Sequence, residues 1–273
     1  MVNSVNSNPG ALTALRSLNS TITELNKVQK RVTTGFKVAD SVDDGAAFAV
    51  AQSLRSEKGV LNAVNSQLNI AKGAVTVFSS AATNVSDTLS RARETLTKLA
   101  DQNLNTDMRT KYNNDFTALK AEVQNYIKNA KFNGINLLSG AKTNISVIAN
   151  QDGTQYTIGG SGVALSGDIS EAFATVASAS SAVALLTGNF AEAEKATGNV
   201  LNTLGADSRR LDAQIKFNST MQDAITTSLG AIVDADLAKE SANLQAYQIK
   251  QQLGAQTLGI ANQAPQILAS LFR

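Results

Sequence analysis

Residues Ala46 to Ala100 read AAFAVAQSLRSEKGVLNAVNSQLNIAKGAVTVFSSAATNVSDTLSRARETLTKLA, and the spacing of the apolar side chains within them decides the fold. Val50, Leu54, Leu61, Val64, Leu68, Ala71, Val75, Phe78, Ala82, Val85, Leu89, Ala92, Leu96 and Leu99, with Glu57 as the one polar member, alternate in steps of four and three without a slip. That is the heptad seam of a coiled coil, and it predicts one continuous helix. No proline interrupts it. Its two glycines, Gly59 and Gly73, fall off the seam, where each costs roughly 1 kcal/mol of helix propensity without breaking the stripe. At about 1.5 Å per residue the helix spans roughly 80 Å. A lone helix with one apolar stripe draws its stability from packing, so the chain has to return and cover it.

Helical patterns lie on both sides. Downstream, Thr106 and Asp107 read as an N-cap and first turn, and Tyr112, Phe116, Leu119, Val123, Tyr126 and Ala130 repeat the four-and-three steps up to a stop at Lys131-Phe132-Asn133-Gly134. From Phe190 the pattern resumes through Leu204, Ser208, Leu211, Ile215, Asn218, Gln222, Ile225, Leu229 and Ile232. Polar seam members such as Asn218 and Gln222 fix alignment at some cost in stability. Upstream, Pro9 and Gly10 read as breakers ahead of a helix from Ala11 to Thr34, with Leu15, Leu18, Ile22, Leu25 and Val32 on one face and Gly35 past its C-cap. Asp40, Asp43 and Asp44 precede the long helix and read as capping residues that favour its macrodipole. Calcium loops need more oxygen ligands at regular spacing. At the other end Leu237, Leu244, Tyr247, Gln251 and Leu258 form an amphipathic stretch that Ile249, Leu253 and Ile260 widen, with Pro265 expected to interrupt it near Ala264 and Leu271 and Phe272 in an apolar tail.

Between these helices the period changes. Residues 145–149 and 154–158 read as strands joined by Asn150-Gln151-Asp152-Gly153, a hairpin signal. Gly159 to Gly162 is a loop rather than a phosphate cradle, because no Lys-Ser/Thr follows and no helix opens on it. Residues 169–186 read as a short Ala/Ser-rich helix.

The predicted fold class is therefore mainly α: an elongated antiparallel helical bundle, a coiled-coil-like rod, with a small β-hairpin insert and amphipathic N- and C-terminal helices. Composition agrees. The chain has 273 residues and 43% apolar side chains but only 5% aromatics, which suits close helix packing. Cysteine, histidine and tryptophan are absent, so thiolate or imidazole metal sites, disulfides and the commonest nucleophiles and bases are missing. No cofactor and no enzymatic activity are expected. A net charge of +2 gives no reason to expect nucleic acid, and no stretch approaches the roughly 20 apolar residues of a membrane span. With no basic start followed by an apolar run, a cleaved signal peptide is not expected either. The two terminal helices leave apolar faces that other copies of the chain must cover. A head-to-tail contact that does not close gives an open helical filament.

The residues now become recognisable. Thr34-Gly35-Phe36-Lys37-Val38 with Ser41-Val42-Asp43-Asp44-Gly45-Ala46-Ala47 resembles the N-terminal signature of bacterial flagellin. Asp234-Ala235-Asp236-Leu237-Ala238-Lys239-Glu240, Ala261-Asn262-Gln263-Ala264-Pro265-Gln266 and the closing Leu271-Phe272-Arg273 resemble its C-terminal one, and Phe132-Asn133-Gly134 looks like the family's turn after the second rod helix. The similarity covers about residues 1–142 and 190–273, with a short insert in place of large outer domains. It implies a subunit of the flagellar filament outside the cell, exported through the flagellar channel without a cleaved signal peptide. Implied regions are terminal helices 1–40 and 236–273 in the filament core, a rod of 41–142 with 190–235, and an outer insert of 143–189. Implied partners are further copies and other flagellins, hook-associated junction and cap proteins, the export apparatus and a chaperone, with no nucleic acid and no membrane insertion. The expected self-assembly residues are Leu15, Leu18, Ile22, Leu25, Val32, Leu237, Leu244, Tyr247, Leu253, Leu258, Ile260, Leu271 and Phe272. By the same resemblance Arg91, Arg93 and Glu94, within Leu89 to Ala100, mark a surface read by innate immune receptors, with Thr95 where the family has a leucine. Alternatives are a hook–filament junction protein, distinguished by its few copies, and a lipid-surface protein. The Thr, Asn and Gln of the polar helix faces disfavour the second.

Overall fold

A computed structural model describes residues 7–140, 144–160 and 163–271, with 264–271 described by backbone alone. The elements are α1 (Pro9–Thr34), α2 (Gly45–Leu99), α3 (Thr106–Asn129), β1 (Asn144–Ile148), β2 (Gln155–Gly159), α4 (Ser166–Ala172), α5 (Ala179–Thr187), α6 (Asn189–Val233) and α7 (Leu237–Leu271). They form two compact units, Gly59–Asp223 and Met1–Lys58 with Ala224–Arg273.

In the unit Gly59–Asp223 the predicted seam of α2 is buried at every position from Leu61 to Leu99. Two helices cover it. Against α3, the Lys98 ammonium sits over the Tyr112 ring and Arg91 pairs with Glu122, and in the turn just past α3 the Phe132 ring packs 3.7 Å from where a Gly73 Cβ would lie. Against α6, Arg93 pairs with Glu194, Lys72 with Asp212, and Asn65 donates to Ser219. In both series the partner's number rises as that of α2 falls, so α3 and α6 run antiparallel to α2.

The ends of α3 follow from local chemistry. Asn105, one residue ahead of the predicted cap, accepts from the Met108 N–H at 2.8 Å. At the far end Asn133 and Gly134 take φ of 49° and 78°, which lets a tight turn close the bridge between Phe132 and Ile135. The stretch predicted as one helix over 169–186 is two, α4 and α5. Phe173 and Val176 turn into the core between them, where Lys120 Nζ donates to the Phe173 carbonyl and Asn113 Nδ2 to that of Val176. Ser178 and Ser181 then start α5 with a reciprocal capping box. Phe173 joins Phe116 of α3 and Phe190 of α6 in a ring cluster with centroids 4.7 to 6.4 Å apart.

The hairpin pairs antiparallel with Ser146 opposite Thr157. Its strands are offset by one residue from the predicted ends, but Ala149 and Thr154 still bond across the turn, where Gly153 has φ 79° and Asn150 Oδ1 accepts from Asp152 and Thr154. The predicted loop continues into residues 161–162, which lie outside the described residues. Helix α6 grips the hairpin: Asp207 accepts from the Gly159 N–H at 2.8 Å, Arg210 donates to the Thr157 carbonyl, and Gln214 and Asn218 both donate to that of Ala149. Asn218 is fully buried, and these bonds are what make a polar seam residue tolerable.

The start of α2 departs from the predicted seam. Val50 is 51% exposed, whereas Ala51 is fully buried with Val38 and Val233. A straight helix drifts about 20° per heptad against a strict seven-residue repeat, and here α2 meets a different neighbour from the one its later seam meets.

Phe190 is fully buried in the ring cluster. Phe190→Ala should lower unfolding stability by about 3–5 kcal/mol in urea titrations of the full chain followed by circular dichroism. A loss below about 1 kcal/mol would show that the cluster is not part of the core.

Candidate assembly surface

The unit Met1–Lys58 with Ala224–Arg273 is built on the pairing of the two terminal helices. Helices α1 and α7 pack against each other over their length. Asn8 bonds to Ala261, Leu18 packs on Gly254, and Arg31 pairs with Glu240, so the two run antiparallel. A Cβ at Gly254 would lie 3.1 Å from Leu18 Cδ1, so glycine here sets the closeness of approach.

Both helices differ from prediction at one end. Pro9 is the first residue of α1, not a breaker before it: proline suits the first helical position, and Asn8 caps the helix by accepting from the Ala11 N–H at 3.0 Å. Helix α7 runs through Pro265 to Leu271 instead of stopping near Ala264. Proline removes one intrahelical bond, to the Ala261 carbonyl, and that carbonyl has an outside donor in Asn8 Nδ2 at 2.6 Å.

The inner ends are tied by backbone and charge. Gly35 has φ 74° and ends α1, as predicted. Beyond it Phe36 bridges Asp234, the Lys37 N–H reaches the Val233 carbonyl at 2.7 Å, and the Ala235 N–H reaches that of Gly35 at 2.9 Å. Of the three aspartates expected to cap α2, only Asp44 does so, accepting from the Ala47 N–H. Asp40 and Asp43 instead receive the Lys30 ammonium at 2.6 and 2.9 Å, and their remaining lone pairs take loop amides. The Lys30 hydrogen bond holds both carboxylates below their ordinary value of 3.8, and the same two bonds hold Lys30 above 10.5. Arg31 reaches the largely buried Glu240 at 3.2 Å.

This pairing divides the predicted assembly residues. Leu25 is buried, and Leu18, Ile22, Val32, Leu244, Tyr247 and Leu258 are half-buried. Leu15, Leu237, Leu253 and Ile260 are exposed, Ile260 at 69%. Leu12 and Ile249 are equally exposed and extend the same pattern. The Leu271 side chain and Phe272 lie outside the described residues.

Arg91, Arg93 and Glu94 are in the other unit. Arg91 and Glu94 border one groove with Asp115 and Glu122, while Arg93 reaches Glu194 on α6, so the three do not form one cluster. Among the described residues, no group of His, Cys, Asp or Glu is arranged to hold a metal ion, and no helix is long and apolar enough to cross a membrane.

Residues 5–143 match the bacterial flagellin N-terminal helical region, and residues 187–272 the bacterial flagellin C-terminal helical region. Flagellin FljM of Caulobacter vibrioides is 38% identical over 275 residues, covering 100% of this chain and 99% of its own. Flagellin FljK of the same organism is 37% identical with the same coverage, and a flagellin of Brucella melitensis is 34% identical over 99% of both chains. Among solved structures, Bacillus cereus flagellin aligns with a TM-score of 0.51 at 18% identity, covering 56% of this chain and 88% of that one. A Vibrio parahaemolyticus protein described as flagellar hook-associated aligns with a TM-score of 0.59 at 14% identity, covering 70% of this chain and 100% of that one. At these identities the two structures speak to fold alone.

The Lys30 clasp predicts a pH dependence. The lowered carboxylates contribute stability that is present above 3.8 and lost as pH falls through their folded values; the raised ammonium contributes stability that is present below 10.5 and lost as pH rises through its folded value. Lys30→Met should therefore shrink the fall in urea midpoint between about pH 5 and about pH 2.5. An unchanged fall would mean that the clasp does not form in solution.

Proposed function

Because the chain belongs to the bacterial flagellin family, and is thus a structural subunit of the extracellular filament that drives swimming, we propose that the outward face of the α1–α7 pair is where it meets its copies. The supporting observation is the set of large apolar side chains left in water there: Leu12 and Leu15 on α1, and Ile249, Leu253 and Ile260 on α7. Exposed apolar side chains grouped on a helix pair mark an interaction surface. Leu237, exposed at the start of α7, is a further contact residue on this reading, and Leu271 and Phe272 belong to the apolar end of the chain by sequence.

The buried Leu25 and the half-buried Leu18, Ile22, Val32, Leu244, Tyr247 and Leu258 act one step back by holding the pair together. On this reading 1–40 with 236–273 form the filament core, 41–142 with 190–235 form the surrounding rod, and 143–189 form the outer insert. The contact is head-to-tail, so it repeats without closing. Hook-associated junction and cap proteins meet the same ends, and a chaperone and the flagellar export apparatus handle the chain before assembly. Arg91 and Glu94, on one groove, with Arg93 beside them, are the residues through which innate receptors would read the subunit.

Ile249→Glu with Ile260→Glu should abolish seeded filament growth, scored by sedimentation and electron microscopy, while α1 and α7 keep their circular dichroism. Growth at the wild-type critical concentration would overturn the assignment of this face.

A further inference from the structure

We infer that Asn8 is a positioning residue that sets the register of the chain's start on α7, and that Pro265 makes Ala261 its docking point. In an α-helix each carbonyl accepts from the N–H four residues on. For Ala261 that residue is Pro265, which has none, and α7 nevertheless continues to Leu271. The Ala261 carbonyl is therefore an unclaimed acceptor in the middle of a helical surface. Asn8 Nδ2 lies 2.6 Å from it.

The same amide is occupied at its other end, where Asn8 Oδ1 takes the Ala11 N–H as the N-cap of α1. The two contacts fix its orientation. A flipped amide would set oxygen against oxygen at Ala261 and donor against donor at Ala11. Asp or Ser would cap α1 about as well, but Asp has no donor and Ser has no amide to reach across, so asparagine is the cap that also binds a carbonyl.

This selects a register. Pro265 is the only proline in α7, so Ala261 is the one interior carbonyl there that proline strips of its donor. Sliding α1 by one turn would bring Asn8 against a carbonyl already bonded within its own helix, and would lift Leu18 off Gly254 and Arg31 off Glu240. Leu18 on Gly254 fits by shape, Arg31 on Glu240 fits by charge, and Asn8 on Ala261 adds a stop at the open end. The inference goes beyond the assembly reading, because it concerns pairing within one subunit.

The test is a double-mutant cycle in the full chain: wild type, Asn8→Ser, Pro265→Ala and both together. Backbone hydrogen exchange across 9–15 is read on the free chain and on seeded filaments. Asn8→Ser keeps the cap and loses the donor, so exchange should speed up about five- to tenfold. With Pro265→Ala, residue 265 regains an N–H for Ala261, and Asn8→Ser should then change exchange by less than about twofold. An equal effect in both backgrounds, or none in either, would overturn the inference, as would absence of protection across 9–15 in both states. Failure to form filaments would count against the assembly reading alone.

Discussion

From Leu61 to Leu99 one stripe of α2 is dry, and the rest of that unit is arranged by the need to keep it so. Once α3 and α6 lie antiparallel along it, Phe116 in the middle of α3 and Phe190 at the start of α6 meet with Phe173 in one ring cluster. The chain between them has to fit a short insert against α6. The insert contributes apolar residues such as Ile158 to the same core instead of building its own.

The terminal unit solves the opposite problem with little core. Its buried apolar cluster is Val38, Ala51 and Val233, and beyond this the two long terminal helices have mainly each other. Contacts that specify alignment take the place of burial: a glycine that admits a leucine, an ion pair, a lysine shared by two aspartates and a side-chain amide used at both ends. Such contacts define position better than they resist opening. On the proposed assembly, copies packing on the outward face would complete the burial of these ends.

Much of this was legible in the sequence because heptad spacing is a local signal that packing reinforces. The seam of α2, the α3 pattern, the hairpin, Gly35 and the amphipathic ends could all be read from period and turn residues. What could not be read depended on partners distant in sequence. Nothing local to Asp40 and Asp43 says that Lys30 will take them before a helix terminus does. Nothing near Pro265 says that the carbonyl it strips, that of Ala261, will be satisfied by a donor 253 positions before it. The break between α4 and α5 is likewise set by Lys120 and Asn113 of α3, outside any window around residue 173. The inward and outward apolar faces of α1 and α7 could not be separated either, because both carry leucine and isoleucine; only the pairing distinguishes Leu18 from Leu15.

The grip of α6 on the hairpin is mostly a grip on main chain. Asp207, Arg210, Gln214 and Asn218 address the Gly159 amide and the Thr157 and Ala149 carbonyls, groups that most replacements in the strands would leave in place. Apart from Tyr156, whose hydroxyl meets Gln214, and the inward Ile145, Val147 and Ile158, the strand side chains face solvent without duties. The hairpin is thus a socket whose outer lettering can be rewritten while its mounting is kept. The solvent-facing side chains of the strands can in this way be exchanged while the main-chain bonds that mount the hairpin on α6 stay as they are.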